Sequence, residues 1–279
     1  QITPPIFYDL PRVTAFILLV ISGFLKGKGI TRLFRDELLQ QIKDIPEVDL
    51  LFPREKFVAY GGHEPIRDTL ENPDIYVHQI RYYRVYKYLK DNYPEIFDSR
   101  TTVLSVGDVG GVLFDAIGKK GMSLNINPDC VAFMKNKGIE AIVGDAENIK
   151  LNDSSFDFIF SFQCLEHIPN PLRALNEFGR VARKAVFISI PYVRKTTIYH
   201  MDYWTKMQKD SWQIKNPKAI DGHIIEFSTE DFRNILSYTN LEYKNSFPIY
   251  YFDNNTYVRK LINKSLGSYF NLFILLPKK

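Results

Sequence analysis

Cysteine is scarce: Cys130 and Cys164 are the only two in 279 residues. They make neither a disulfide framework nor a metal-binding pair, so a reducing, cytoplasmic setting is the expectation. A strong charge of either sign is also missing. The net charge of +4 is small for this length, so nucleic acid is not expected as a partner, while room remains for an acidic acceptor. Internal repeats and low-complexity tracts are absent. No apolar run reaches the roughly 20 residues that a membrane-spanning helix needs. The longest, VTAFILLVISGFL (Val13 to Leu25), is followed by Lys26, Lys28 and Arg32. It has the length of a signal-peptide core, but only Arg12 supplies positive charge ahead of it. A buried helix or hydrophobic docking surface is the expectation, with a peripheral membrane contact as the alternative.

Apolar residues are plentiful, at 45% with 14% aromatic, which is ample for a packed core and argues against disorder. Residues 1–98 read as a helical N-terminal extension, with helical spacing in TRLFRDELLQQI and DIYVHQIRYYRVYKYLKDNY. Between them, Pro53, the Gly61-Gly62 pair and Pro65 mark a loop. Arg81, Arg84, Lys87 and Lys90 are expected on a solvated cationic face, with Tyr82, Tyr83, Tyr86 and Tyr88 partly buried.

From residue 99 to 279 strands alternate with helices, the pattern of a parallel sheet with crossovers. Strands are expected at 103–106, 122–126, 141–143, 156–161 and 185–190, and two more near 241–247 and 272–276. Asn170-Pro171 reads as a helix cap followed by proline at the first helical position. Ser228 and Asp231 have capping-box spacing. The segment 192–224, rich in Tyr, Trp and Lys, is long for a connection in a compact domain and is expected to act as a lid.

The stretch TTVLSVGDVGGVLFDAIG (Thr101 to Gly118) is a strand, a glycine turn and a short helix. Such a unit cradles nucleotides in doubly wound sheets, where ligands sit at the carboxyl ends of strands. Its spacing is not G-x-G-x-x-G, since Val109 and Phe114 stand where glycines would be needed. Alone, the turn is equally compatible with a structural βα connection.

The wider pattern is more specific. VGDAENIKLNDSSFDFIFSFQCLEHIPNPLRALNEFGRVARKAVFISIP, followed later by GHIIEFSTEDFRNIL, resembles the core of class I S-adenosylmethionine (SAM)-dependent methyltransferases of the small-molecule type. The resemblance runs from about Thr102 to Pro191 and resumes near Gly222. It implies an α/β fold with a Rossmann-like seven-stranded sheet flanked by helices, SAM as cofactor, and a small-molecule acceptor. It also implies roles for particular residues. Gly107 and Gly111 would hold the methionine end of SAM, and Asn125 and Ile126 would lie at the ribose. Asp145 would meet the adenine amino group, with Ala146 beside the ring. Ser161, Phe162 and Gln163 would line the cleft next to the sulfonium.

Three positions depart from the family pattern. Ser105 replaces the acid that ends the first strand, Val109 replaces the middle glycine, and Asn125 replaces the ribose acid. An amide accepts a hydroxyl hydrogen bond but lacks the charge that makes a carboxylate bond roughly twice as strong. Asp108 is expected to restore a negative charge near the cofactor's ammonium.

His167, in the LEHI segment, is the expected general base, because imidazole is suited to proton removal near neutral pH; the alternative is that it only orients the loop. Some quinone-pathway O-methyltransferases resemble this segment with an E-x-x-E-H ligand set. Here Gln163 replaces the first carboxylate, so no metal is expected. His63, His200 and His223 are expected in loops and solvated, with the alternative that His200 and His223, which bracket the lid, face the substrate. Two rival readings are a non-catalytic scaffold with a degenerate SAM site and a dinucleotide-dependent oxidoreductase, the latter leaving GDAE and LEHI unexplained.

Overall fold

Short β-branched and aliphatic runs build the sheet, because strands covered on both faces need apolar side chains on both. The computed structural model describes residues 18, 30–53, 74–108, 110–118, 121–191, 193–198, 223–250, 252–266 and 268–278. Expectations for the Val13–Leu25 segment apart from Leu18, and for His63, Val109, His200 and the 199–222 part of the lid, lie outside these residues.

In chain order the elements are α1 (Ile30–Asp44), α2 (Pro46–Leu51), α3 (Asp74–Asn92), β1 (Val103–Val106), α4 (Val112–Ala116), β2 (Met122–Asn125), α5 (Pro128–Asn136), β3 (Glu140–Val143) and β4 (Phe156–Phe162). They continue as α6 (Pro171–Val181), β5 (Ala182–Pro191), β6 (Thr197–Ile198), β7 (Ile225–Glu226), α7 (Thr229–Ile235), β8 (Leu241–Tyr250), α8 (Tyr257–Leu266) and β9 (Ser268–Pro277).

The seven-stranded sheet has the order β3-β2-β1-β4-β5-β9-β8. Its first five strands pair in parallel, and β9 runs antiparallel between β5 and β8. The chain winds outward from β1 to β3, then returns to place β4 on the other side of β1. That reversal is a topological switch point, where the carboxyl ends of β1 and β4 leave a crevice. A separate ribbon pairs β6 with β7. The expected strands are all present. The last two, at ten residues each, are longer than the apolar pattern indicated, because their outer ends pair with one another.

Both expected helix caps form. The Asn170 side chain accepts from the Arg173 N–H, and Pro171 follows at the first helical position. Ser228 Oγ accepts from the Asp231 N–H at 3.1 Å. The reciprocal half of that box differs, since the Ser228 N–H goes to Thr196 Oγ1, while the Asp231 carboxylate accepts from both Ser228 and Thr196 hydroxyls. This ties the ribbon to α7.

The N-terminal helices share their core with the sheet domain. Leu33, Leu38, Val48, Phe52, Ile80 and Tyr83 pack with Val112, Phe252, Leu261 and Ile262. Further along α3, Val85 and Leu89 join Phe158, Phe187 and Ile274 against the sheet. The cationic face of α3 is only half as expected. Lys87 and Lys90 are exposed, but Arg81 and Arg84 are half-buried. Burial draws the Arg84 guanidinium below its ordinary value. The helix lies across the carboxyl ends of β4 and β5, and Arg81 is on the side that meets them.

Candidate active site at the switch point

The turn after β1 has the backbone that only glycine adopts without strain: φ is 81° at Gly107 and 66° at Gly111. At Gly107 a side chain is excluded twice over, because an added Cβ would lie 2.3 Å from Cys164 Sγ. The turn after β4 thus packs directly on the turn after β1. Burial pushes the Cys164 thiol up to about 12, so it stays neutral and serves as packing.

The departures in the glycine turn have a structural counterpart. Asp108 Oδ1 accepts from the backbone N–H groups of Gly110 and Gly111, both at 2.9 Å. That carboxylate oxygen therefore caps the turn itself. Asn125, 6% exposed, donates through Nδ2 to the Asp108 carbonyl at 2.9 Å and accepts at Oδ1 from the Asn127 N–H at 2.8 Å. Lys137 Nζ holds the Gly110 carbonyl at 2.8 Å. A carboxylate at position 125 has no N–H to donate, so the amide braces the turn in a way the family's acid does not.

The other expected residues fall around the same crevice. Ser105 is buried within β1, and half-buried Ile126 follows β2. Asp145 Oδ1 accepts from the Glu147 N–H at 2.9 Å, and Ala146 packs against the core beneath the sheet. Ser161 is fully buried near the end of β4, where its side chain meets the Cys164 thiol. Phe162 stacks on Phe160 at 5.5 Å. Gln163 has φ of 51°, a left-handed backbone rarely adopted outside glycine, and its N–H donates to the Ser189 carbonyl at 3.1 Å. Such conformations persist where the surroundings enforce them, often at ligand sites.

Beyond Gln163 the chain makes a tight turn, Leu165–His167. Glu166 is 1% exposed, and among the described residues neither of its carboxylate oxygens has a hydrogen-bond partner on another residue. Burial pushes this carboxyl up to about 8, opposed by its own backbone N–H and by Arg81 and helped by the Glu226 charge. The half-buried ring of His167 stands edge-on to that of His223, with centroids 4.9 Å apart. His223 is not a solvated loop residue. It is half-buried, its Nδ1 pairs with the Glu226 carboxylate, and the next residue's N–H (Ile224) donates to the Glu166 carbonyl at 2.7 Å.

Sequence reasoning missed the wall supplied by α3. Arg81, Tyr82 and Val85 line a small cavity together with Phe162 and Ser189. Nothing in the helical periodicity distinguishes a residue facing a cleft from one facing solvent. Glu226 was also missed, although it stands inside the GHIIEFS segment that carries part of the resemblance.

Residues 104–190 match the methyltransferase domain family. Among solved structures, the chain is similar to magnesium protoporphyrin IX methyltransferase of Synechocystis, determined with bound SAM, at 12% identity over 81% of this chain and 91% of that one, with a TM-score of 0.50. It is also similar to a possible histamine N-methyltransferase of Thermotoga maritima, at 18% identity over 73% of this chain and 91% of that one, with a TM-score of 0.49. Identities this low speak to the fold, and the family match speaks to the residues of the crevice strands. The switch-point crevice between β1 and β4 therefore lies within the residues that match the methyltransferase domain family, on a sheet of the Rossmann-like methyltransferase fold.

Proposed function

We propose that the enzyme transfers a methyl group from SAM to a small-molecule acceptor bearing an oxygen, nitrogen or carbon nucleophile. The observation that carries this reading is the crevice itself, with left-handed backbone at Gly107 and Gly111 on one lip and at Gln163 on the other. Gly107, Asp108 and Gly111, with Ser105 beneath, would receive the methionine end. Asn125 and Ile126 would lie along the ribose, Asp145 and Ala146 at the adenine, and Ser161, Phe162 and Gln163 beside the sulfonium. A buried polar atom with no partner among the described residues, Asn127 Nδ2, stands near the carboxyl end of β2. Such atoms are uncommon in proteins and fit a polar ligand.

SAM, when bound, supplies a methyl group already activated on a sulfonium. The chain's own work is then to position the acceptor and receive its proton. Fixing a nucleophile in line with the reacting bond accounts for a large share of the rate in such a reaction. Arg81, Tyr82 and Val85 on α3 form one wall of the acceptor space, opposite Phe162. That mixture suits an apolar acceptor with a polar or anionic group, including a glycosidic or lipid-linked one. The acceptor's proton leaves toward the cluster of Glu166, His167 and His223. In this reading residues 1–98 act as a cap over the 99–279 domain, and 192–224 as a lid.

Titration calorimetry tests the cofactor step. SAM and its demethylated product are expected to bind at micromolar strength, with a matching rise in melting temperature. No heat and no shift with either, together with a shift from NAD, would overturn the reading in favour of an oxidoreductase.

A further inference from the structure

We infer that Glu166, His167 and His223 form a binding site for one divalent transition-metal cation, with Glu226 holding His223 in place. One donor atom from each of the three residues lies within 4.8 Å of the others. Zinc bonds to nitrogen and oxygen at about 2.0–2.2 Å, so small side-chain rotations bring the three donors around one ion. Three further observations make this a built site.

The first is Glu166. A carboxylate removed from water without a hydrogen bond is costly, and proteins compensate buried charges by pairing or by metal coordination. At 1% exposure neither Glu166 oxygen has a partner on another of the described residues, although Gln163 and Ser189 beside it are hydrogen-bonded. The second is the backbone. Glu166 and His167 follow β4, whereas His223 precedes β7 by two residues, and the 2.7 Å bond from Ile224 N–H to the Glu166 carbonyl fixes the two segments together. The third is the carboxylate of Glu226 on His223 Nδ1. A carboxylate on one imidazole nitrogen sets the tautomer that presents the other, Nε2, as an electron-pair donor. This carboxylate–histidine arrangement commonly supports metal-bound histidine.

The donor set selects the ion. Two imidazoles and one carboxylate suit zinc, cobalt, nickel or ferrous iron over magnesium or calcium, which favour oxygen ligands. Gln163, which stands where a further carboxylate would have made the set harder, is turned to Ser189 instead. His223 supplies the third donor from a different element. Three protein ligands leave a position open, and two of them, Glu166 and His167, stand in the turn that follows β4. A hydroxyl bound there would lose its proton more readily, as water does on zinc. An ion there would stabilise the acceptor's oxyanion while the released proton passed to solvent water, with His167 as ligand in place of base. Metal binding itself is measured without SAM or acceptor, so its outcome is separate from that of the methyl-transfer reading.

The test uses full-length, tag-free protein stripped with a chelator and desalted. Zinc affinity is measured by competition with a chromophoric chelator, and cobalt is titrated while its visible absorption is followed. One equivalent per chain is expected, with a cobalt spectrum free of thiolate charge transfer. Glu166→Gln and His223→Asn should each weaken zinc binding at least about tenfold, and Glu226→Gln by roughly 10–100-fold. Binding of SAM product should be unchanged in His223→Asn, which also reports that this variant is folded. Failure of the wild-type protein to bind either ion overturns the proposal. So does zinc binding that survives intact in both Glu166→Gln and His223→Asn, or that depends instead on Cys164.

Discussion

Arg259 and Glu166 are both ionisable groups almost wholly withdrawn from water, at 0% and 1% exposure, and their surroundings could hardly differ more. Arg259, on α8, is held by Glu37 at 3.2 Å, Asp253 at 2.9 Å and Asp44 at 2.8 Å, so each arm of its guanidinium has a carboxylate. Glu166 has no hydrogen-bond partner on another of the described residues. The first arrangement ties α1 to α8 across more than two hundred residues of sequence and is saturated. The second is not completed by the described residues, and it stands in the turn that follows β4. Saturation therefore separates a buried charge that holds the fold from one placed for a ligand.

Breaking the saturated member should have the largest effect. Arg259→Met leaves three carboxylates facing one another around an apolar side chain, and removing one partner of a buried ion cluster costs about 3–5 kcal/mol. Urea denaturation should show that loss, with a lower midpoint and a similar slope. A change within about 0.5 kcal/mol would mean that the cluster is solvated and that the contrast fails.

The unsaturated member should reveal itself through pH. In chelator-treated protein the folded-state pKa of Glu166, at about 8, lies above its ordinary value near 4.5. The folded protein then binds more protons than the unfolded chain between these values, and stability falls as pH rises through that window. Glu166→Gln should flatten that decline, which chemical denaturation at pH 5 and pH 8 would measure. Around Arg259 the sign is opposite. Hydrogen bonds from Gln40 and Arg259 hold the Asp44 carboxyl below its ordinary 3.8, so its contribution is present above that value and disappears only as pH falls below it.

A smaller effect is expected at the glycine turn. Gly107→Ala meets both a left-handed backbone and Cys164, whereas Gly118→Ala meets the backbone alone, with nothing within 4 Å. A left-handed conformation costs a non-glycine residue roughly 1–2 kcal/mol. Gly118→Ala should lose about that much stability and Gly107→Ala more, because its Cβ also displaces Cys164, and Gly107→Ala should also lose affinity for SAM product. Equal affinities in the two would place the ligand away from this turn. The smallest effect should come from Asn125→Asp. It removes the N–H donated to the Asp108 carbonyl and sets a charge against that oxygen, so SAM-product binding should weaken by about 1 kcal/mol, a severalfold change. Tighter binding would mean that the ribose gains more from the charge than the turn loses.

Much of the fold was legible because strands and helices with apolar faces leave a period in the sequence. The seven-stranded Rossmann-like sheet followed from the family resemblance, and the caps at Asn170 and Ser228 could be read residue by residue. The crevice was legible only as a set of matching positions. Asn125 is the instructive case, since an amide in place of an acid looks like a loss until its N–H is found bracing the Asp108 carbonyl. Arg81 and His223 were illegible for a different reason. Each meets Glu166 across elements that lie far apart along the chain, and local periodicity carries no information about such encounters.

The antiparallel placement of β9 has a consequence for synthesis. Among the described residues β8 pairs with no strand of the seven-stranded sheet except β9, and β9 alone joins it to β5. On the ribosome, β8 emerges with both edges unpaired and waits until residues 268–277 follow. Long-range pairings of this kind form late, and an unpaired edge is open to non-native partners in the interval. The parallel half of the sheet, with the crevice, has its strand neighbours in place earlier. A nascent chain thus holds the cofactor half of the enzyme before the sheet is closed at its far edge, and a ligand bound there would stabilise the folding intermediate at its most exposed stage.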